Sequence, residues 1–173
     1  MHALATSFYE PDKITFYNLV LFVHISAVVI AFGGTFTYGL VQAVVTRPGQ
    51  RRHVPFWHRV QHEVGNKLIT PAAVLILLAG IYLAAVGNYD FGKLFVTVGI
   101  VIVVAVLGLG HAFFSPTELR AVEAAERDIA AAGDGEVVLG AEYQALSKRL
   151  AAVGIATNLL VLVAIFVMVI KPV

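Results

Sequence analysis

Four apolar runs, each long enough to cross a bilayer, alternate with polar connectors along these 173 residues. The first extends from Phe16 to about Val45 and the second from Leu68 to Val86. The third covers Leu94 to Phe114 and the fourth Leu150 to Ile170. Roughly 20 residues of helix cross the hydrocarbon core, so the first run is tilted or projects beyond it. Backbone in lipid must satisfy its own hydrogen bonds, which predicts that all four runs are helices. Within the first run, His24, Val28, Ala31, Thr35, Tyr38 and Gln42 recur at alternating spacings of four and three. That is one face of a helix, and it gathers most of the run's polar groups. The pattern predicts an all-α, antiparallel four-helix membrane bundle with this stripe turned inward.

The connectors at 46–67 and 115–149 carry helix signals of their own. Pro55 suits a first helical turn, and Phe56 to His62 continues as helix into span two. Ser115-Pro116-Thr117-Glu118 has capping-box spacing and predicts a helix starting there and running to about Ala132. Gly133-Asp134-Gly135 ends it. From about Ala141 a further helix runs straight into span four. The chain therefore reads as a single transmembrane domain with short helical cytoplasmic extensions.

Charge fixes the expected orientation. The first connector holds Arg47, Arg51, Arg52, Arg59 and Lys67 against Glu63, a net +4. The second holds Arg120, Arg127, Lys148 and Arg149 against seven acids, a net −3. By the positive-inside rule the first connector is cytoplasmic, so the second is too, and both termini lie outside. The opposite charges predict that the connectors pack together beneath the membrane.

Hydrophobic residues make up 59% of the chain and charged residues 13%, against about 25% charged in soluble domains. The bilayer is the solvent for such a chain. Without cysteine, this chain supplies no disulfide, iron–sulfur cluster or thiolate zinc site. Its only sulfur ligands are Met1 and Met168. The N-terminal stretch does not read as a cleavable signal: it lacks a basic leader, and the apolar run after it is too long. Phe8, Tyr9, Phe16 and Tyr17 read as an interfacial aromatic belt. Gly33, Gly34, Gly39 and Ala43 form a small-residue surface suited to close helix contact, within the bundle, in a homo-oligomer or with a partner membrane protein.

His24 is the leading candidate for chemistry, because an ionisable group inside a span is costly and marks a functional position by default. The competing reading is interhelical hydrogen bonding, which polar groups in membrane bundles commonly perform. His58 and His62, spaced i, i+4, share a helix face and form a candidate metal pair, with His111 toward the same membrane side. His111 could instead hydrogen-bond to Asn158 or to a backbone carbonyl. No phosphate-cradling glycine loop occurs, and nothing points to nucleic acid.

The run Leu21-Phe22-Val23-His24 followed by Phe32-Gly33-Gly34 resembles the first span of a loose group of small bacterial membrane proteins. The group includes the copper-resistance protein D domain, HemJ-type protoporphyrinogen oxidases and predicted integral membrane proteins of unknown function. Pro71 followed by Leu78-Ala79-Gly80-Ile81-Tyr82 is similar to the last of these. The resemblance implies an inner-membrane bundle with His24 as a ligand for haem b or copper. The chain has Phe32 where relatives often carry Trp, and it lacks the arginine-bearing segment of the oxidases. At about 1.5 Å rise per residue, His24 and His111 differ in depth by roughly 13 Å, too far for one haem to bridge easily. Tyr82 is the better-matched neighbour for His24, with Thr97 near the same level. Three functional readings follow: a haem- or copper-binding protein with a redox or cofactor-handling role, a non-enzymatic bundle serving structure or assembly, and a transport component.

Overall fold

In the computed structural model, which describes residues 15–171, the chain is helical throughout, with no strand among the described residues. Met1, His2, Phe8 and Tyr9 lie outside the described residues. Span one comprises α1 (Phe16–Gly33), a 3₁₀ turn (Thr35–Thr37) and α2 (Tyr38–Val45). Thr15 caps it, its hydroxyl accepting from the Asn18 N–H at 3.2 Å. A 3₁₀ turn at Arg51–His53 opens the second column, followed by α3 (Val54–Val64), a π-helical turn (Gly65–Ile69) and α4 (Thr70–Val86). The third column repeats that plan with α5 (Leu94–Leu109), a π-helical turn (Gly110–Phe114) and α6 (Ser115–Ala132). The fourth is one helix, α7 (Ala141–Ile170).

All four columns are long and apolar enough to cross a membrane. The apolar runs are the crossing segments. The connectors fold over one end of the bundle, which we call the capped end, and the Gly87–Lys93 turn lies at the other.

The capping box at Ser115 does not form. Ser115 stands inside a continuous column, with no side-chain cap on α6. Its own N–H already bonds to the Gly110 carbonyl. A helix that arrives already wound has no free N–H groups for a capping hydroxyl to satisfy. The other end is as expected: Gly133 adopts a φ of 53°, which its missing side chain permits, and the helix stops there.

Two larger cores hold the molecule, with a small third cluster at Ala84, Phe95 and Val96. Ala27, Ala31, Phe32, Ile76, Ile102, Val106 and Val161 pack at membrane level. Val54, Ala121, Ala124, Ala125, Val137, Leu139 and Tyr143 form the core of the cap. Around the first core, Phe22, Val29, Leu40 and Val169 stay exposed, which suits contact with lipid and not with water.

The oppositely charged connectors do pack together. Arg51 donates to the carbonyls of Thr46 (3.1 Å) and Val137 (2.8 Å), and Arg59 pairs with Glu126. Arg52 reaches the carbonyls of Gly133 and Gly135. The exposed ion pair adds only about 0–1 kcal/mol; the buried alanine face of α6 and the guanidinium–carbonyl bonds do more.

The glycines expected to mediate close contact do not do so within the chain. A methyl group placed on Gly33, Gly34 or Gly39 would meet no atom within 4 Å. The close approaches are elsewhere, at Gly80 against His24 and Gly99 against Met168.

A polar cavity where three helices leave α geometry

Spans one, two and three all depart from α-helical winding beside one cavity. Thr35–Thr37 tightens to 3₁₀, while Gly65–Ile69 and Gly110–Phe114 widen to π. The two π turns share a sequence form, Gly65-x₄-Thr70-Pro71 and Gly110-x₄-Ser115-Pro116. Each proline lacks an N–H and pushes away the carbonyl four residues back, and the i→i−5 bond just before it takes up the strain. Span one has no proline there; its Thr35 hydroxyl donates back to the Phe32 carbonyl at 2.8 Å and lies 2.9 Å from the Asn158 amide. π-Turns inside α-helices are frequent at functional sites.

The irregular turns surround a cavity of about 300 Å³ at the capped end of the bundle, with mostly apolar walls. Its polar groups come from every column: Tyr38 and Gln42, His58 and Gln61, Glu118, and Asn158. Several of them lack partners. The Tyr38 hydroxyl, the Gln42 Oε1, the His58 Nδ1 and the Gln61 Oε1 are buried without a hydrogen bond of good geometry. Each such group costs about 1–3 kcal/mol if it stays unsatisfied.

Part of the lining is a connected network. Gln42 donates from Nε2 to the Tyr143 hydroxyl (2.7 Å) and the Ser147 hydroxyl (3.3 Å). Tyr143 also lies 3.2 Å from His58 Nε2. His58 is only 2% exposed, and burial pushes its pKa down to about 4, opposed only weakly by Gln61. The ring is therefore neutral at pH 7. In the tautomer that lets Tyr143 donate to Nε2, the proton sits on Nδ1.

Among the described residues, Glu118 is the cavity's one carboxyl group. It stands at the start of α6 on the buried face shared with Ala121, Val122 and Ala125. It is 7% exposed and joins none of the ion pairs among the described residues. Burial alone raises its pKa to about 8. No lysine or arginine among the described residues lines the cavity.

The five candidates from the sequence are dispersed. His24 lies outside the cavity: its Nδ1 is 3.0 Å from the Ile76 carbonyl and its ring rests against Gly80. The Tyr82 ring meets Phe16 edge-on at 5.5 Å. Thr97 donates to the Phe91 carbonyl in the turn before its helix. His58 and His62 both line the cavity, but each is engaged, His62 by Asn66 at 3.0 Å and Ser115 at 3.3 Å. His111 is exposed on the third column, and Asn158, its expected partner, faces Thr35 instead. Among the described residues, no three histidines or carboxylates are grouped to hold a metal ion.

Sequence reasoning passed over Glu118 as a capping residue. A signal was present: Glu118 occupies the stripe of Ala121, Val122 and Ala125, the apolar face of an otherwise charged helix.

Comparison with known proteins adds one match. Residues 18–172 fit the pattern of a family described as "Predicted integral membrane protein (DUF2269)", a description that gives location and no activity. No curated protein and no solved structure matches the chain.

Proposed function

The chain belongs to the DUF2269 family of predicted integral membrane proteins, and from its cavity we propose that it receives or carries a small amphipathic molecule. One observation supports this reading above the others. Mostly apolar walls converge with polar groups from two columns, the unpartnered Tyr38 hydroxyl and Gln42 Oε1 of span one and the buried carboxyl of Glu118 in the third column. Binding sites for small molecules have this composition: an apolar enclosure with a few placed polar groups. A ligand with an apolar body and a head that both donates and accepts would relieve the cost of those groups.

Trp57, the chain's one tryptophan, stacks edge-on against Tyr38 at 5.4 Å and reports on the site. The test is fluorescence titration with N-phenyl-1-naphthylamine, a neutral apolar probe. Saturable quenching of Trp57 is expected, with affinity lowered at least tenfold by Gly154→Phe. Gly154 lines the cavity and has no atom within 4 Å of an added methyl group, so the new side chain starts in open space. Equal titration of both proteins would refute the reading.

A second reading keeps a haem b or a copper ion on His24, with Tyr82 at the same end of the bundle. It is favoured by the bond between His24 Nδ1 and the Ile76 carbonyl. Metal-bound imidazoles typically donate one ring N–H to such a carbonyl and present the other nitrogen to the metal. A reduced-minus-oxidised absorption spectrum, with metal analysis of the same sample, tests it. A chromophore lost in His24→Ala supports it; absence of both chromophore and stoichiometric metal rejects it.

A further inference from the structure

The cavity has a direction. Spans one and two, two and three, and three and four pack closely helix against helix, whereas spans one and four approach each other less closely. What joins them is a line of side-chain bonds, Thr35 to Asn158 and Gln42 to Tyr143 and Ser147. Gly39 and Gly154 flank this seam, and neither has an atom within 4 Å of where a side chain would begin. Phe36 and Ile155, at its lips, are 44% and 63% exposed. In a bilayer this seam faces the acyl chains, so the cavity opens sideways into lipid.

Inside lies an isolated carboxyl. The titratable groups around Glu118 are Tyr38 from span one and His58 and His62 from α3, with Tyr143 of α7 behind His58. No lysine or arginine among the described residues lines the cavity to pair with an ionised Glu118, and burial holds His58 neutral at neutral pH. An anionic ligand would find no guanidinium or ammonium group there and would face Glu118. An organic cation would bring the missing counter-charge, and the rings of Phe32, Phe36, Tyr38 and Phe114 in the lining offer faces that attract it.

We propose that a hydrophobic organic cation enters from the bilayer between spans one and four and binds as the counter-ion of Glu118, whose proton is released to solvent. The proposal rests on the cavity being the ligand site and names the class of ligand it takes. The exchange is charge-neutral for the cavity: one cation enters and one proton leaves. Because only the ionised carboxylate is competent, apparent affinity falls with the ionised fraction. With the carboxyl titrating near 8, affinity should rise about tenfold per pH unit up to that point and then level off.

The test is equilibrium dialysis of tetraphenylphosphonium against the full chain in a neutral detergent at several pH values between 6 and 9. Triphenylphosphine oxide serves as the neutral comparison. The expected result is cation binding that strengthens steeply toward pH 8, releasing close to one proton per cation at pH 6 and progressively fewer as the pH passes 8. In Glu118→Gln it should be at least tenfold weaker at pH 8 and independent of pH. Binding of N-phenyl-1-naphthylamine, which requires no carboxylate, verifies that this variant is folded. Cation binding that is independent of pH and survives Glu118→Gln would overturn the proposal. So would binding of the phosphine oxide alone, or of neither phosphorus compound. In each of those cases, naphthylamine binding that remains sensitive to Gly154→Phe leaves the cavity reading standing, whereas its failure removes both.

Discussion

Glu118 and His58 line one cavity, and burial moves their pKa values so that both are held neutral over a shared pH range. An unfolded glutamate loses its proton near 4.5, the folded one near 8, so between those values the native state holds one proton more. Stability attributable to Glu118 therefore falls as pH rises from 4.5 to 8. An unfolded histidine gains its proton near 6.5, the folded His58 only near 4, so between those values the unfolded state holds more. Its contribution rises with pH from 4 to 6.5. Each slope is about 1.4 kcal/mol per pH unit, and the two cancel between 4.5 and 6.5. We expect thermal stability in detergent to be level over that interval and to decline from pH 6.5 to 8. In Glu118→Gln the decline above 6.5 should vanish, and a loss below 6.5 should appear where His58 is no longer opposed. Identical profiles for the two proteins would show that Glu118 is not buried as a neutral acid.

The helices were legible because apolar runs and charge blocks are written directly in the chain. Their irregularities were legible only in part. The inward stripe of span one keeps its register through the 3₁₀ turn, so Thr35, Tyr38 and Gln42 reach the interior as the spacing implies. The paired Gly-x₄-Ser/Thr-Pro segments of spans two and three are equally plain in the sequence. Yet a proline near an interface normally reads as a helix start, and here it follows a π turn within one continuous column. Winding through such a junction depends on what packs beside it, which no single helix encodes. The same limit applies to His24, whose position in a span says that it needs a partner but not that the partner is the Ile76 carbonyl. If the prolines hold the π turns open, Pro71→Ala with Pro116→Ala should let both columns relax toward regular i→i−4 bonding and narrow the cavity. The expected outcome is a raised melting temperature with naphthylamine affinity reduced at least tenfold. Unchanged affinity would mean that the π turns are maintained by the surrounding packing.

At the scale of the molecule, charge and architecture combine to place the cavity relative to the two sides of the membrane. The first connector carries net +4 close to the ends of spans one and two, the kind of segment that the positive-inside rule retains in the cytoplasm. The acidic second connector would not set an orientation by itself, since acidic residues contribute little to that rule. It follows the first because they are bound into one cap, through Arg51 to the Val137 carbonyl and Arg59 to Glu126. By that rule the capped end, and with it Glu118, is expected on the cytoplasmic side, and the Gly87–Lys93 turn outside. A proton leaving Glu118 would then pass to the cytoplasm by the shortest path. The chain contains no cysteine, so single cysteines can be introduced without background labelling. Asp134→Cys in the cap and Phe91→Cys in the opposite turn both replace exposed side chains. In intact cells a membrane-impermeant maleimide should label Phe91→Cys at once and Asp134→Cys only after lysis. The reverse order would invert the molecule, put the cavity on the outer side, and make the basic connector an exception to the rule. Labelling of both positions in intact cells would show that the chain inserts in two orientations, with no fixed side for the cavity.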